Sequence, residues 1–258
     1  MPASDHPVLI LGGTAEAVKL AAALVGRGYR TISSLAGRTS NPAKIEGEVR
    51  TGGFGGADGL ADYLRRENIA LLVDATHPFA TQISDNAIAA AEITGIPFVR
   101  LERPEWRRKP GDIWISVATL EEAVAAAPSK ARILLALGRQ HIAPFSKRRD
   151  VFFVVRMIDP PETPLDLFDF ELELSKPGKK DEEAAFLTRK RLTHIICRNS
   201  GGSASYAKIS AARELGLPVI MIERPHRPAL MLCPIRTVCC VLLWRCWGKL
   251  GECAGWGW

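Results

Sequence analysis

The 258-residue chain is long enough for one large or two modest domains, and 47% apolar with 24% charged residues excludes wholesale disorder. A formal charge of +6 favours an anionic partner and leaves nucleic acid, anionic lipid and a small polyanion open. Five of the six cysteines are Cys233, Cys239, Cys240, Cys246 and Cys253, which excludes a disulfide framework for the body of the fold. No basic stretch followed by an apolar segment opens the chain, so the expected compartment is the cytoplasm.

In chain order, short apolar runs alternate with amphipathic stretches of helix length, the sequence form of parallel strands joined by helices. Val8 to Leu11 reads as a strand, Thr14 to Arg27 as a helix stopped by Gly28, and Thr31 to Leu35 as a second strand. Asp58 to Glu67 reads as a helix, Ala70 to Asp74 as a strand, Gln82 to Thr94 as a helix and Pro97 to Leu101 as a strand. A helix over Thr119 to Ala127 follows, and the order then restarts at Arg132 to Leu137. The phrase from Gly95 to Pro104 returns from Gly216 to Pro225, each copy ending Glu-Arg-Pro, which points to two copies of one Rossmann-like unit. The expectation is an α/β protein of two Rossmann-like domains, 1–128 and 129–258, with mainly parallel sheets and a cofactor and substrate cleft between them.

Gly12, Gly13 and Thr14 follow the first strand, where glycines let the backbone turn tightly and approach a phosphate stabilised by N–H groups at the helix start. The spacing falls short of G-x-G-x-x-G, and a purely structural turn fits the same residues. Arg38, just past the second strand, stands where such folds meet the adenosine ribose, and an arginine there accommodates a 2′-phosphate. The glycines from Gly52 to Gly56 read as a loop without assigned chemistry.

Thr76, His77 and Pro78 follow a buried strand at its carboxyl edge, the best active-site loop of the chain. His77 suits proton donation, a carboxylate contact or a plain loop hydrogen bond. Asn199, Ser200 and Gly201 form the corresponding loop of the second copy, with small donors suited to a pyrophosphate or an amide. Basic residues gather around Arg100, Arg103, Arg107, Arg108 and Lys109, and again at Lys176, Lys179 and Lys180. Two separated basic loops suit a compact polycarboxylate, for which Arg103, Lys176, Lys179 and Lys208 are the candidate partners. Proline and tryptophan interrupt the first loop, which argues against a nucleic-acid helix with one basic face.

The ordered set of Gly12-Gly13-Thr14-Ala15-Glu16-Ala17, Ala36-Gly37-Arg38, Asp74 to Ala80, and Asn199-Ser200-Gly201-Gly202 with Tyr206-Ala207-Lys208 resembles the precorrin-6A reductase (precorrin-6x reductase) family of cobalamin biosynthesis. The resemblance runs from about Val8 to Pro225. It implies a reduced nicotinamide nucleotide, NADPH, and reduction of one double bond of the tetrapyrrole precorrin-6A to give precorrin-6B. Carried onto this sequence, it implies that Gly12, Gly13, Thr14, Arg38, Gly138, Arg139, Asn199, Ser200 and Gly201 serve the cofactor, and that Thr76, His77 and Pro78 face the macrocycle. Val18 and Arg198 depart from the family pattern, which more often has arginine and lysine at these places. Positioning residues rather than a catalytic dyad are expected to carry the reaction.

After Arg227 the composition shifts, with Trp244, Trp247, Trp256 and Trp258 joining the late cysteines, and residues 229–258 read as a frame slip or an unrelated tail. Pro234, Arg236 and Arg245 interrupt its apolar run against a membrane span. Paired C-x-x-C spacing is missing, so no metal is expected. Alternative readings are a noncatalytic nucleotide or polyanion binder and a cobalt-precorrin-6A reductase using NADH. The expected partner is the small-molecule substrate, with transient contact to neighbouring pathway enzymes and neither nucleic acid nor membrane.

Overall fold

The computed structural model describes residues 6–37, 44–203 and 205–225, and the backbone of 232–233. Arg38 and the tail beyond Cys233 lie outside the described residues. Along the chain come β1 (Val8–Leu11), α1 (Ala15–Val25), β2 (Thr31–Leu35), β3 (Glu48–Thr51), α2 (Gly56–Arg66), β4 (Leu71–Asp74), α3 (Thr81–Thr94) and β5 (Phe98–Leu101). Then follow β6 (Trp114–Val117), α4 (Leu120–Ala126), β7 (Arg132–Ala136), two 3-10 turns (Arg139–His141 and Ala143–Lys147), β8 (Phe152–Met157) and β9 (Phe170–Leu174). The rest comprises α5 (Lys180–Arg189), β10 (His194–Arg198), α6 (Ala207–Glu214), β11 (Val219–Ile222) and β12 (Leu232–Cys233).

The strands form two six-stranded sheets, ordered β12-β5-β4-β1-β2-β3 and β6-β11-β10-β7-β8-β9. Every pairing is parallel. The first five strands of each repeat keep one order, and the sixth strand is exchanged. β6 follows β5 in the chain but pairs with β11, and β12 follows β11 but pairs with β5. Compact units accordingly change at Arg103 and Pro104. This corrects the expected boundary at 128: β6 and α4 belong to the second sheet, and the polar turn at Pro128 to Lys130 only ends a helix that connects two strands of that sheet.

In the first unit, β1 shows why the sheet needs helices on both faces. Val8 and Ile10 pack with Leu20 and Leu24 of α1, whereas Leu9 and Leu11 pack with Leu60 and Leu64 of α2 and Ala87 and Ala90 of α3. Successive strand side chains point to opposite faces, and each buried leucine contributes about 1.5–3 kcal/mol. Ala87, Ala90 and Ala91 of α3 are buried, small side chains that let a helix lie close to its neighbours. Gly95, at φ +71, ends α3 in the left-handed conformation that glycine adopts without a Cβ penalty.

In the second unit, Leu134, Val154, Ile195 and Met221 of the sheet pack with Phe186 and Leu187 of α5 and Ile209 and Ala212 of α6. The two repeats differ in one respect that matters for a ligand. β1 runs through its glycine turn into an eleven-residue helix, but β7 is followed only by 3-10 turns. Among the described residues, no helix is long and apolar enough to cross a membrane.

Candidate active site

The turn after β1 is built by Thr14. Its extended backbone, φ −113 and ψ 159, places the hydroxyl as the N-cap of α1, accepting from the Ala17 N–H at 3.1 Å while donating to the Ala75 carbonyl at 2.8 Å. The side chain is therefore committed to capping and to tying β1 to the end of β4. What remains for an anion is backbone, because the first N–H groups of a helix have no intrahelical partner. Gly13 has φ +105, and a Cβ placed on it would meet nothing within 4 Å. An open backbone without a side chain at a helix start fits the pyrophosphate of a dinucleotide. Gly12 donates to the Ser34 carbonyl at 2.9 Å, and a Cβ there would find only ordinary contacts at 3.6 Å.

Arg103 does not stand ready for a substrate carboxylate. It pairs with Glu16, in the first turn of α1, at 3.1 Å, both side chains being largely buried. The ion pair neutralises a carboxylate that otherwise sits beside the glycine turn. Asp74, at the end of β4, accepts from the Thr76 N–H at 3.1 Å and hydroxyl at 2.6 Å. Its other oxygen is buried without a hydrogen bond, 3.9 Å from Arg100 Nε. Thr76 is thus oriented by Asp74, and the His77 Nδ1 accepts from the Phe79 N–H at 3.3 Å. Thr76, His77 and Pro78 share one loop at the carboxyl edge of the first sheet.

In the second unit, Asn199 is 2% exposed and its amide is spent on the protein: Oδ1 accepts from the Trp106 N–H at 2.8 Å, and Nδ2 donates to the Trp106 carbonyl at 3.1 Å and to Glu223 at 3.0 Å. Trp106 Nε1 donates to the Gly202 carbonyl at 2.6 Å, and Arg224 donates to the Asn199 and Ser200 carbonyls at 2.9 and 3.1 Å. Gly201, at φ +68, is required here, because a Cβ would overlap Arg224 and the Pro104 carbonyl. The loop is rigid scaffold, and Asn199 offers no side-chain donor to a cofactor. Gly138 has an ordinary φ of −69, and Arg139 pairs with Glu162 at 2.8 Å on the surface.

Lys208 is buried in the second unit. It is 6% exposed, donates to the Ser205 carbonyl at 2.8 Å and lies 4.9 Å over the Trp106 ring. Burial pushes its ammonium below the ordinary lysine range. Lys176 and Lys179 are exposed in the loop between β9 and α5 and are the two expected carboxylate partners that face solvent. Sequence reasoning missed the parts played by Trp106, Glu223 and Arg224. The repeated Glu-Arg-Pro phrase held the signal for the last two, but it read only as duplication. Among the described residues, no group of three or more His, Cys, Asp or Glu could hold a metal ion.

Residues 7–241 match the family model described as precorrin-6x reductase CbiJ/CobK. A precorrin-6A reductase of Sinorhizobium sp. is 49% identical over 225 residues, covering 86% of each chain. The precorrin-6A reductase of Rhodobacter capsulatus is 44% identical over 228 residues, covering 88% of this chain and 91% of the relative. A solved structure titled CobK precorrin-6A reductase superposes with a TM-score of 0.89 at 42% identity, covering 94% of this chain and 97% of that one. The chain belongs to the precorrin-6x reductase family and is an oxidoreductase of cobalamin biosynthesis.

Proposed function

We propose that the protein reduces one double bond of precorrin-6A to precorrin-6B, using NADPH, in the cytoplasm. The observation that carries the cofactor assignment is Gly13: an open backbone at φ +105, between a buried strand and a helix whose cap is already satisfied by Thr14. The bound nucleotide supplies a hydride. The N–H groups from Gly13 into α1 hold its pyrophosphate, the Glu16–Arg103 pair keeps that region free of net negative charge, and Arg38 reads the 2′-phosphate. Gly12 lets the backbone approach closely.

Thr76, held by Asp74, orients the macrocycle, with His77 and Pro78 beside it. Lys176 and Lys179 engage substrate carboxylates from solvent. The product passes on by transient contact with neighbouring pathway enzymes. Two features of this chain support the metal-free substrate over the cobalt form: it is 42–49% identical to relatives named precorrin-6A reductase. It is only 32% identical to the cobalt-precorrin-6A reductase of Priestia megaterium.

The test is a comparison of kcat/KM for NADPH and NADH with metal-free precorrin-6A under anaerobic conditions, in the wild type and in Arg38→Ala. A strong NADPH preference that falls sharply in the variant is expected. Equal use of both nucleotides by the wild type overturns the NADPH assignment, and turnover restricted to the cobalt substrate overturns the metal-free one.

A further inference from the structure

Arg50 lies in β3, level with Ser34 of β2 in the parallel register. Its guanidinium donates from Nη1 to the Ser34 hydroxyl at 2.7 Å and to the Gly52 carbonyl at 3.1 Å, and from Nη2 to the Gly53 carbonyl at 3.0 Å. It also stacks 3.9 Å over the Phe54 ring. All these partners are neutral. Arg103, Arg156 and Arg213 are each matched with a carboxylate at 2.8–3.1 Å, whereas among the described residues no carboxylate pairs with the half-buried Arg50.

The place of this charge matters. Gly37, at φ +70, turns the chain after β2 so tightly against β3 that a Cβ on it would come 2.8 Å from Thr51 Cγ2. The unmatched guanidinium therefore stands beside the strand end where a parallel nucleotide-binding sheet meets the adenosine ribose. The same group fixes the loop from Gly52 to Gly55, whose Gly52 and Gly55 have φ of +117 and +82 and open space where a Cβ would be.

We propose that Arg50 is a specificity-determining residue at the adenosine end of the cofactor site, favouring a 2′-phosphorylated nucleotide through its unmatched positive charge. The assignment rests on the reading that the first unit holds the nucleotide. The hydrogen bonds to Ser34, Gly52 and Gly53 hold the Arg50 charge in place, so a ligand phosphate meets it without the cost of ordering a long side chain.

The test is calorimetric titration of the full chain with adenosine 2′,5′-bisphosphate and with AMP, for the wild type, Arg50→Gln, Arg50→Lys and Arg38→Ala, with thermal unfolding as a check on folding. Arg50→Gln is expected to weaken the bisphosphate about tenfold and AMP less than about twofold, as loss of one nearby charge at intermediate dielectric implies. Arg50→Lys, which keeps the charge but loses the guanidinium fork, is expected to keep a clear preference for the bisphosphate over AMP, and it decides the matter if the glutamine variant does not fold. Equal weakening of both probes in the glutamine variant, or complete loss of preference in the lysine variant, shows that the Arg50 charge does not set the preference and overturns the proposal. Preference abolished by Arg38→Ala but untouched by Arg50→Gln overturns it while the nucleotide reading stands. A wild type that binds neither probe removes both.

Discussion

Asn199 and Trp106 exchange two hydrogen bonds: the Trp106 N–H donates to Asn199 Oδ1 at 2.8 Å, and Asn199 Nδ2 donates back to the Trp106 carbonyl at 3.1 Å. A buried amide on the loop after β10 thus clamps the segment by which the chain enters the second unit. Asn199→Ala would leave both backbone groups of Trp106 without these partners, and a buried group without a partner costs about 1–3 kcal/mol. We predict a loss of about 2–4 kcal/mol in urea denaturation, with nucleotide affinity little changed in the folded fraction. Wild-type stability with lost nucleotide binding would return Asn199 to the cofactor.

The Glu16–Arg103 pair makes a second prediction. Arg103→Met leaves an uncompensated carboxylate at the start of α1, and NADPH binding should weaken about fivefold to tenfold through repulsion of the pyrophosphate. Glu16→Gln in the same chain should restore most of that loss, so a double-mutant cycle by titration reads the coupling directly. If Arg103→Met instead raises KM for precorrin-6A and leaves NADPH binding unchanged, the arginine serves substrate.

Gly12→Ala separates scaffold from ligand. The added methyl meets only contacts at 3.6 Å, so thermal stability should stay within about 0.5 kcal/mol of wild type. If a phosphate approaches this backbone closely, the Kd for NADPH should rise at least about tenfold, since a methyl displaces a directly contacting group. An unchanged Kd would place the pyrophosphate elsewhere.

Burial lowers the Lys208 ammonium below its ordinary value, so the unfolded chain holds that proton more tightly than the folded one. The sign follows. Below the folded value the full penalty of burying the charge applies, and it is relieved as pH rises from there to the unfolded value near 10.4. Wild-type stability measured against Lys208→Met should therefore improve across that window in urea titrations at successive pH values. Parallel pH profiles would show that Lys208 titrates as if solvated.

Much of this was legible in the residues. The alternation of Val8 to Leu11 and the spacing of Leu20 and Leu24 specify a doubly covered strand and its helix, because burial fixes both periods. The Gly13 turn and the Asp74 to Pro78 loop could be placed at strand ends for the same reason. The exchange of β6 and β12 could not, since strand pairing is a long-range choice and the break at Pro128 resembles any linker. The protein partners of Arg103, Asn199 and Lys208 were not legible, because a polar side chain near a ligand edge gives no sign in sequence of the group it meets. Only the fold brings Glu16 to Arg103 and Trp106 to Asn199 and Lys208.

The central claim is hydride transfer from NADPH to precorrin-6A, and its most direct test follows the isotope. The purified protein is incubated anaerobically with metal-free precorrin-6A and NADPH carrying deuterium at the nicotinamide C4, each C4 face labelled in turn. Product mass is then read alongside nucleotide oxidation. The account predicts substrate-dependent oxidation with one deuterium in the reduced tetrapyrrole from one of the two labelled forms. Tight NADPH binding with no substrate-dependent oxidation, or a reduced product free of deuterium from both forms, would contradict it.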